Sequence, residues 1–129
     1  MVFQEKQVFP PEYILPEAFH LAHIIFPEGG TCLEFGVGSG RSYSWQAEQI
    51  LNIYPSSNLI GFDSWQGLPE ETEGVWKPDR HAVGAFSYSK TFVKERLEKL
   101  GIKDSDPRFR LVDGFFSESL TKELQSSIN

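Results

Sequence analysis

The residues with the clearest chemical content run Glu34-Phe35-Gly36-Val37-Gly38-Ser39-Gly40. Glycines at this spacing suit a backbone that approaches a ligand closely or turns through conformations closed to other residues. A helix starting just after them offers free N–H groups to a polar ligand. A dinucleotide fingerprint would read Gly-x-Gly-x-x-Gly with no acid at its start. Here the third glycine, Gly40, comes one residue early and position 41 is arginine. Glu34, two residues before the first glycine, suits a ligand with a positive amino group in place of a pyrophosphate, because opposite charge compensates a buried carboxylate. A second acid closes Gly61-Phe62-Asp63. A carboxylate at that point can accept both hydroxyl protons of an adenosyl ribose. Together the acidic glycine loop and Asp63 point to an adenosyl ligand. The competing reading has Glu34 in a structural ion pair and Asp63 as the cap of a turn.

Elements must hold these residues in place. Thr31 to Val37 is a short apolar run with one charge, as expected of a central parallel strand. Tyr43, Trp45, Ala47, Ile50, Leu51 and Ile53 carry an apolar face through a helix that Pro55 closes. Asn58 to Phe62 is expected as the second strand, and Arg108 to Val112 as a third, ended by Asp113-Gly114. Phe92, Val93, Leu97 and Leu100 mark a helix between them that stops at Gly101. The connection from Asp63 to Phe86 is rich in turn formers and charge, and loops of that length are functional or disordered. Upstream, Pro10, Pro11 and Pro16 predict an extended arm over Met1 to Pro16, followed by a short buried helix over Glu17 to Phe26. Ser117 to Ile128 reads as a last amphipathic stretch. This order predicts an α/β fold: a Rossmann-like βαβαβ half-sheet of parallel strands with helices on both faces. Ligands of such sheets bind beyond the carboxyl ends of the strands.

Composition narrows the function. With 129 residues and 40% hydrophobic content, one domain is expected, its arm and first helix in 1–30 and its core in 31–129. The net charge is −6 and the basic residues are scattered, so no nucleic-acid partner is expected. The N-terminal residues lack the pattern of a secretory signal, and no apolar run approaches the ~20 residues that span a bilayer. Hence no membrane is expected as a partner, and the cytoplasm is the expected location. Cys32 is the single cysteine, and beside Leu33 it reads as a buried strand thiol. His20 and His23 stand at i and i+3, which is ligand-like spacing, but no third ligand is evident and no metal site is expected. His81, near Trp76, Asp79 and Arg80, could act as a base or be a solvated loop histidine. The acids Glu70, Glu71 and Glu73 could favour a cationic or sugar substrate or simply face solvent.

Four stretches carry a family resemblance: Leu33 to Gly40, Gly61-Phe62-Asp63-Ser64-Trp65-Gln66-Gly67-Leu68-Pro69-Glu70, Gly84-Ala85-Phe86-Ser87, and Leu111-Val112-Asp113-Gly114-Phe115-Phe116-Ser117-Glu118-Ser119-Leu120. In these the chain resembles the macrocin O-methyltransferase-like branch of the class I S-adenosylmethionine-dependent methyltransferases. The resemblance extends over nearly everything from Thr31 onward. It implies that Glu34, Gly36 and Gly38, in the loop that ends at Gly40, line the methionine end of S-adenosylmethionine and that Asp63 meets the ribose. It further places Ser64 and Trp65 beside the adenine and the Asp113-Gly114-Phe115 turn at its far edge. Trp65 would either stack on the base or serve as ordinary packing.

The implied reaction is O-methyl transfer to a small-molecule hydroxyl. In the family a magnesium ion is held by an aspartate-rich motif on a further strand, and that motif is not among these residues. The expectation is therefore a cofactor-binding half whose catalytic residues are unassigned. It would work with a missing C-terminal half or by self-association, since the third-strand edge would be open to pairing. The alternative is a non-catalytic adenosyl-binding module that acts through a partner chain.

Overall fold

A computed structural model of the chain describes residues 14–69, 83–84 and 87–128. Three parallel strands, β1 (Thr31–Phe35), β2 (Asn58–Asp63) and β3 (Phe109–Asp113), form one sheet in the order β1-β2-β3. Leu33 lies beside Ile60, and Gly61 beside Leu111. The helices are α1 (Leu15–Ile25), α2 (Arg41–Asn52), α3 (Lys90–Glu98), α4 (Phe116–Ser119) and α5 (Lys122–Ser127). The architecture is the α/β Rossmann-like half-sheet expected from the strand and helix pattern.

The order β1-β2-β3 steps in one direction, so two right-handed crossovers place α2 and α3 on the same face. Between them and the sheet lies the core of Val37, Tyr43, Ala47, Ile50, Leu59, Val93, Leu97, Ile102 and Phe109, which Phe19 of α1 joins. Gly61 is the point of closest approach. A Cβ there would stand 2.6 Å from Val37 Cγ2 and 2.8 Å from Tyr43 Cε2. The Tyr43 ring thus lies flat against β2, and its hydroxyl donates to the Arg110 carbonyl at 3.0 Å, linking α2 to β3. Such contact is possible only because the strand carries no side chain at that place.

The second face is barer. Strand alternation turns Leu33, Phe35, Ile60 and Phe62 away from α2 and α3. On this face lies the four-residue α4, whose Phe116 meets Phe35 edge-on while Phe35 stacks on Phe62. Phe62 is buried as a result, but Phe35 stays 51% exposed and Leu33 44%. The expectation of an open third-strand edge also needs widening: among the described residues β1 and β3 each pair with β2 alone, so both are edges of the described sheet.

Several element boundaries differ from the sequence expectation. β1 stops at Phe35 instead of Val37, because Gly36 leaves the strand with φ 84°. β2 and β3 each run on to an aspartate, so Asp63 and Asp113 are the last strand residues and lie side by side. The helix expected to be buried over Glu17 to Phe26 is α1, which buries only Phe19 and leaves Leu21, Ile24, Ile25 and Phe26 exposed. The last amphipathic stretch is two helices, not one. Leu120 leaves helical geometry at ψ 73°, and Thr121 restarts the chain as an N-cap, its hydroxyl accepting the Leu124 N–H at 3.1 Å. No helix among the described residues is long and apolar enough to cross a membrane.

Candidate functional site

The glycine loop and the strand ends meet at the carboxyl edge of the sheet. Gly36, Gly38 and Gly40 all have positive φ, at 84°, 58° and 81°, and Gly40 is the left-handed N-cap of α2. That run of left-handed turns folds the loop back over the end of β2, where Gly36 N–H donates to the Phe62 carbonyl at 2.8 Å. A Cβ on Gly40 would meet Val93 Cγ1 at 3.0 Å, so this glycine also lets α3 pack close beneath the loop.

Asp63 is the hub. Its Oδ2 accepts the Gly38 N–H at 2.7 Å and its Oδ1 the Trp65 N–H at 2.9 Å, while its carbonyl accepts the Gly114 N–H at 3.0 Å. One residue therefore joins the loop after β1, the turn after β2 and the turn after β3. The bond to Trp65 is the turn cap of the competing sequence reading. It does not use up the carboxylate, because each oxygen has a second lone pair available to a ligand hydroxyl.

Trp65 takes φ 63°, a left-handed conformation that a side chain makes costly. Its indole Nε1–H donates to Asp113 Oδ1 at 2.9 Å, and its carbonyl accepts the Ser87 hydroxyl at 3.2 Å. The ring packs against the core cluster. Asp113 Oδ1 also receives Lys90 Nζ at 2.8 Å. The hydrogen bond from Lys90 is the main cause that lowers the Asp113 pKa, and the Trp65 indole adds to it.

Glu34 lies on the same face of the sheet, under α2. Its Oε1 accepts the Ser42 hydroxyl at 2.6 Å and the Gln46 amide at 2.8 Å, which fastens β1 to the first turns of α2. Oε2 is buried and has no hydrogen-bond partner among the described residues. Burial pushes the carboxyl up to about 7, against the two hydrogen bonds, and the neighbouring Asp63 charge pushes in the same direction. No cation shares in this arrangement, so the ion-pair reading of Glu34 has no support in the described contacts.

A cleft of about 640 Å³ opens beside this hub. Gly36, Asp63, Ser64, Gly114 and Phe115 from the expected site line it, together with Phe35, Gly67, Leu68, Pro69, Phe116 and Ser117. Its walls are mostly aromatic and aliphatic, with Asp63 the one charged group among the described lining residues, a pattern suited to a flat apolar ligand with a few hydroxyls. Glu34, Gly38, Gly40, Trp65 and Asp113 are not among these lining residues; Gly38 and Trp65 are hydrogen-bonded to Asp63, and Asp113 to the Trp65 indole. Another hollow, of about 350 Å³, runs along the β3 edge between Lys94 and Arg110, away from the strand ends.

The remaining candidates separate. His23 Nδ1 faces the Phe19 carbonyl at 2.8 Å, which can only accept. Nδ1 therefore donates there, and Nε2 is hydrogen-bonded with the buried Ser57 hydroxyl at 2.7 Å. His20 Nδ1 is hydrogen-bonded with the Tyr54 hydroxyl at 2.6 Å. Both histidines fasten α1 to the segment between α2 and β2. No group of three or more His, Cys, Asp or Glu among the described residues could hold a metal ion, so the described residues offer no set that fits magnesium. Cys32 sits on β1, packed against the core, and burial raises its thiol pKa. His81, Trp76, Glu70, Glu71 and Glu73 lie outside the described residues.

Sequence reading missed Ser42 and Gln46 as partners of Glu34, and Lys90 and Ser87 as partners of the Trp65 turn. Ser42 and Gln46 are legible in hindsight, standing at i and i+4 on one helical face. Nothing in the sequence marks Lys90, whose partner is 23 positions away across the sheet.

Comparison with known proteins bears on the fold. No protein-family model matches the chain, and no curated protein does. Among solved structures, it is similar to the O-methyltransferase NovP, with a TM-score of 0.62, 21% identity, and 84% of this chain covering 47% of that one. It is likewise similar to the calicheamicin methyltransferase CalS11, with a TM-score of 0.64, 23% identity, and 86% of this chain covering 46% of that one. The chain thus spans about half the length of these methyltransferases, and what it shares with them is the fold of that half.

Proposed function

We propose that this chain is an S-adenosylmethionine-binding domain of a methyltransferase that acts on a small-molecule hydroxyl. The observation that carries the reading is Asp63: a carboxylate at the end of the middle strand, fixed by the glycine-loop and Trp65 N–H groups, on the wall of an otherwise apolar cleft. The fold shared with NovP and CalS11 supports it.

In this reading Asp63 accepts the ribose hydroxyls, and Ser64, Gly114 and Phe115 border the adenine. The loop from Gly36 to Gly40 presents backbone to the methionine end. When bound, the cofactor supplies an activated methyl group on a sulfonium. The chain's own contribution is to bind and orient it: the apolar walls exclude water, and two backbone N–H groups hold the Asp63 side chain at the wall of the cleft. Trp65 and Asp113 act as supports beside the adenine, and Glu34, anchored to α2 through Oε1, keeps Oε2 for the amino group at the methionine end. Catalytic residues and any magnesium ligands would come from outside the described residues. The whole chain is read as one such domain of a cytoplasmic protein.

The exposed Leu33, Phe35, Phe116 and Leu120 favour a second element of the reading. Apolar surface on this face, beside the free β1 edge, suits either the rest of a longer sheet or a second copy of the chain. Isothermal titration with S-adenosylmethionine, S-adenosylhomocysteine and NAD tests the cofactor assignment. Binding of both adenosyl-sulfur ligands and none of NAD is expected, and preferential NAD binding would overturn it. Light scattering over a range of concentrations tests the association.

A further inference from the structure

Three features lie outside the contacts assigned to the ligand: the Lys90–Asp113 pair, the strained backbone of Trp65, and the Ser87 hydroxyl on the Trp65 carbonyl. They form one unit. A glycine would adopt the left-handed backbone of residue 65 without strain. A tryptophan there must be held by its own contacts, and three are present: N–H to Asp63, carbonyl from Ser87, and indole N–H to Asp113. Two of the three depend on the segment that returns from the long connection, because Ser87 and Lys90 both belong to the entry of α3. Lys90 reaches Asp113 Oδ1, the same oxygen that accepts the indole.

We propose that Lys90 is a positioning residue for the adenosyl site: through Asp113 it holds the Trp65 indole, and through the Trp65 turn it fixes the direction of the Asp63 carboxylate. The proposal rests on the cofactor reading above. The order of contacts is continuous: Lys90 Nζ to Asp113 Oδ1, Asp113 Oδ1 to Trp65 Nε1, Trp65 N to Asp63 Oδ1, and Asp63 Oδ2 to Gly38 N. A cation at residue 90 keeps Asp113 an ionised acceptor and limits its side chain to one rotamer facing the indole. Without it the Asp113 carboxylate, more than half exposed, is free to turn to solvent. The indole then loses its acceptor, and the left-handed turn loses a contact that opposes its strain. The Asp63 carboxylate would then spend less time in the orientation that meets the ribose, with the core beneath unaffected.

The test compares Lys90→Gln and Lys90→Arg with the unaltered chain. Three quantities are read: S-adenosylhomocysteine affinity by titration calorimetry, Tm, and the nitrogen–proton NMR signals of the Gly38 amide and the Trp65 indole, the latter assigned with Trp65→Phe. Lys90→Gln is expected to weaken binding about fivefold or more, to move both NMR signals, and to leave Tm within about 2 °C. Lys90→Arg, which keeps the cation, is expected to restore affinity and signals. Unchanged affinity in Lys90→Gln, unmoved signals, or losses of Tm and affinity that Lys90→Arg does not rescue would each overturn the proposal. If the unaltered chain binds no S-adenosylhomocysteine, the cofactor reading fails. The linkage is then decided by NMR alone, with movement of the Gly38 amide in Lys90→Gln sustaining it and an unmoved amide overturning it.

Discussion

Replacing Glu34 by glutamine separates a structural from an ionic role for this residue. The carboxyl is raised from 4.5 to about 7, chiefly by burial, while Ser42 and Gln46 hold Oε1. A group whose pKa is raised on folding contributes stability that is complete below its unfolded pKa and is lost as pH rises through its folded pKa. Relative to Glu34→Gln, which cannot ionise, the unaltered chain should therefore lose stability between pH ~4.5 and ~7 and level off above that. One pKa unit is worth about 1.4 kcal/mol, so the loss is at most roughly 3 kcal/mol, reduced by any water that reaches Oε2. The glutamine keeps an acceptor for Ser42 and Gln46, so the two proteins should be close in stability at pH 5. Urea unfolding followed by circular dichroism at pH 5, 6, 7 and 8 measures the difference. Parallel pH profiles for the two proteins would refute the reasoning. A difference of the opposite sign, with the unaltered chain gaining as pH rises, would show a Glu34 stabilised as an anion and revive the ion pair.

Asp63→Ala should both weaken adenosyl-ligand binding and lower stability. It removes charge-assisted bonds to two backbone N–H groups, each worth about 1.5–3 kcal/mol when well shielded; calorimetric titration and thermal unfolding of one sample measure both, and an unaltered Tm would show the loop held by other contacts. Gly61→Ala forces a methyl group to within 2.6 Å of Val37 and 2.8 Å of Tyr43. Its expected cost is about 1–3 kcal/mol in urea unfolding, and a change under about 0.5 kcal/mol would mean that Tyr43 can move off the strand. His23→Phe keeps an aromatic ring over Tyr54, on which His23 stacks at 3.9 Å, but removes the bonds to Phe19 and Ser57. A loss of about 1–2 kcal/mol is expected, chiefly because the buried Ser57 hydroxyl loses its His23 partner and keeps only the Gly30 N–H, and amide exchange across α1 should rise with it. No change in either would show α1 held by Phe19 packing alone.

The sequence by itself determined the sheet and the place of the site. Apolar runs closed by glycine or aspartate give strands whatever surrounds them, and the step from Gly36 to Gly40 can only be a turn, because its left-handed backbone suits glycine alone. Asp63 was legible for the same local reason, as an acid that ends a strand. What these residues do to one another was decided by tertiary structure. Glu34 and Asp63 look alike as acids flanking a glycine loop. Strand alternation puts both on the α2 side of the sheet, but Glu34 lies inside β1 under α2, where burial raises its pKa, whereas Asp63 is the last residue of β2, where backbone N–H groups fix it. The exposed face of α1 was likewise invisible, since apolar periodicity reports that a helix has a face to bury and not whether anything covers it. Lys90 and Ser87 show the limit most sharply. Their partners Asp113 and Trp65 are distant in sequence and meet them only because parallel strands bring all their carboxyl ends to one edge, where contacts depend on the register of β2 against β3 and not on any local pattern.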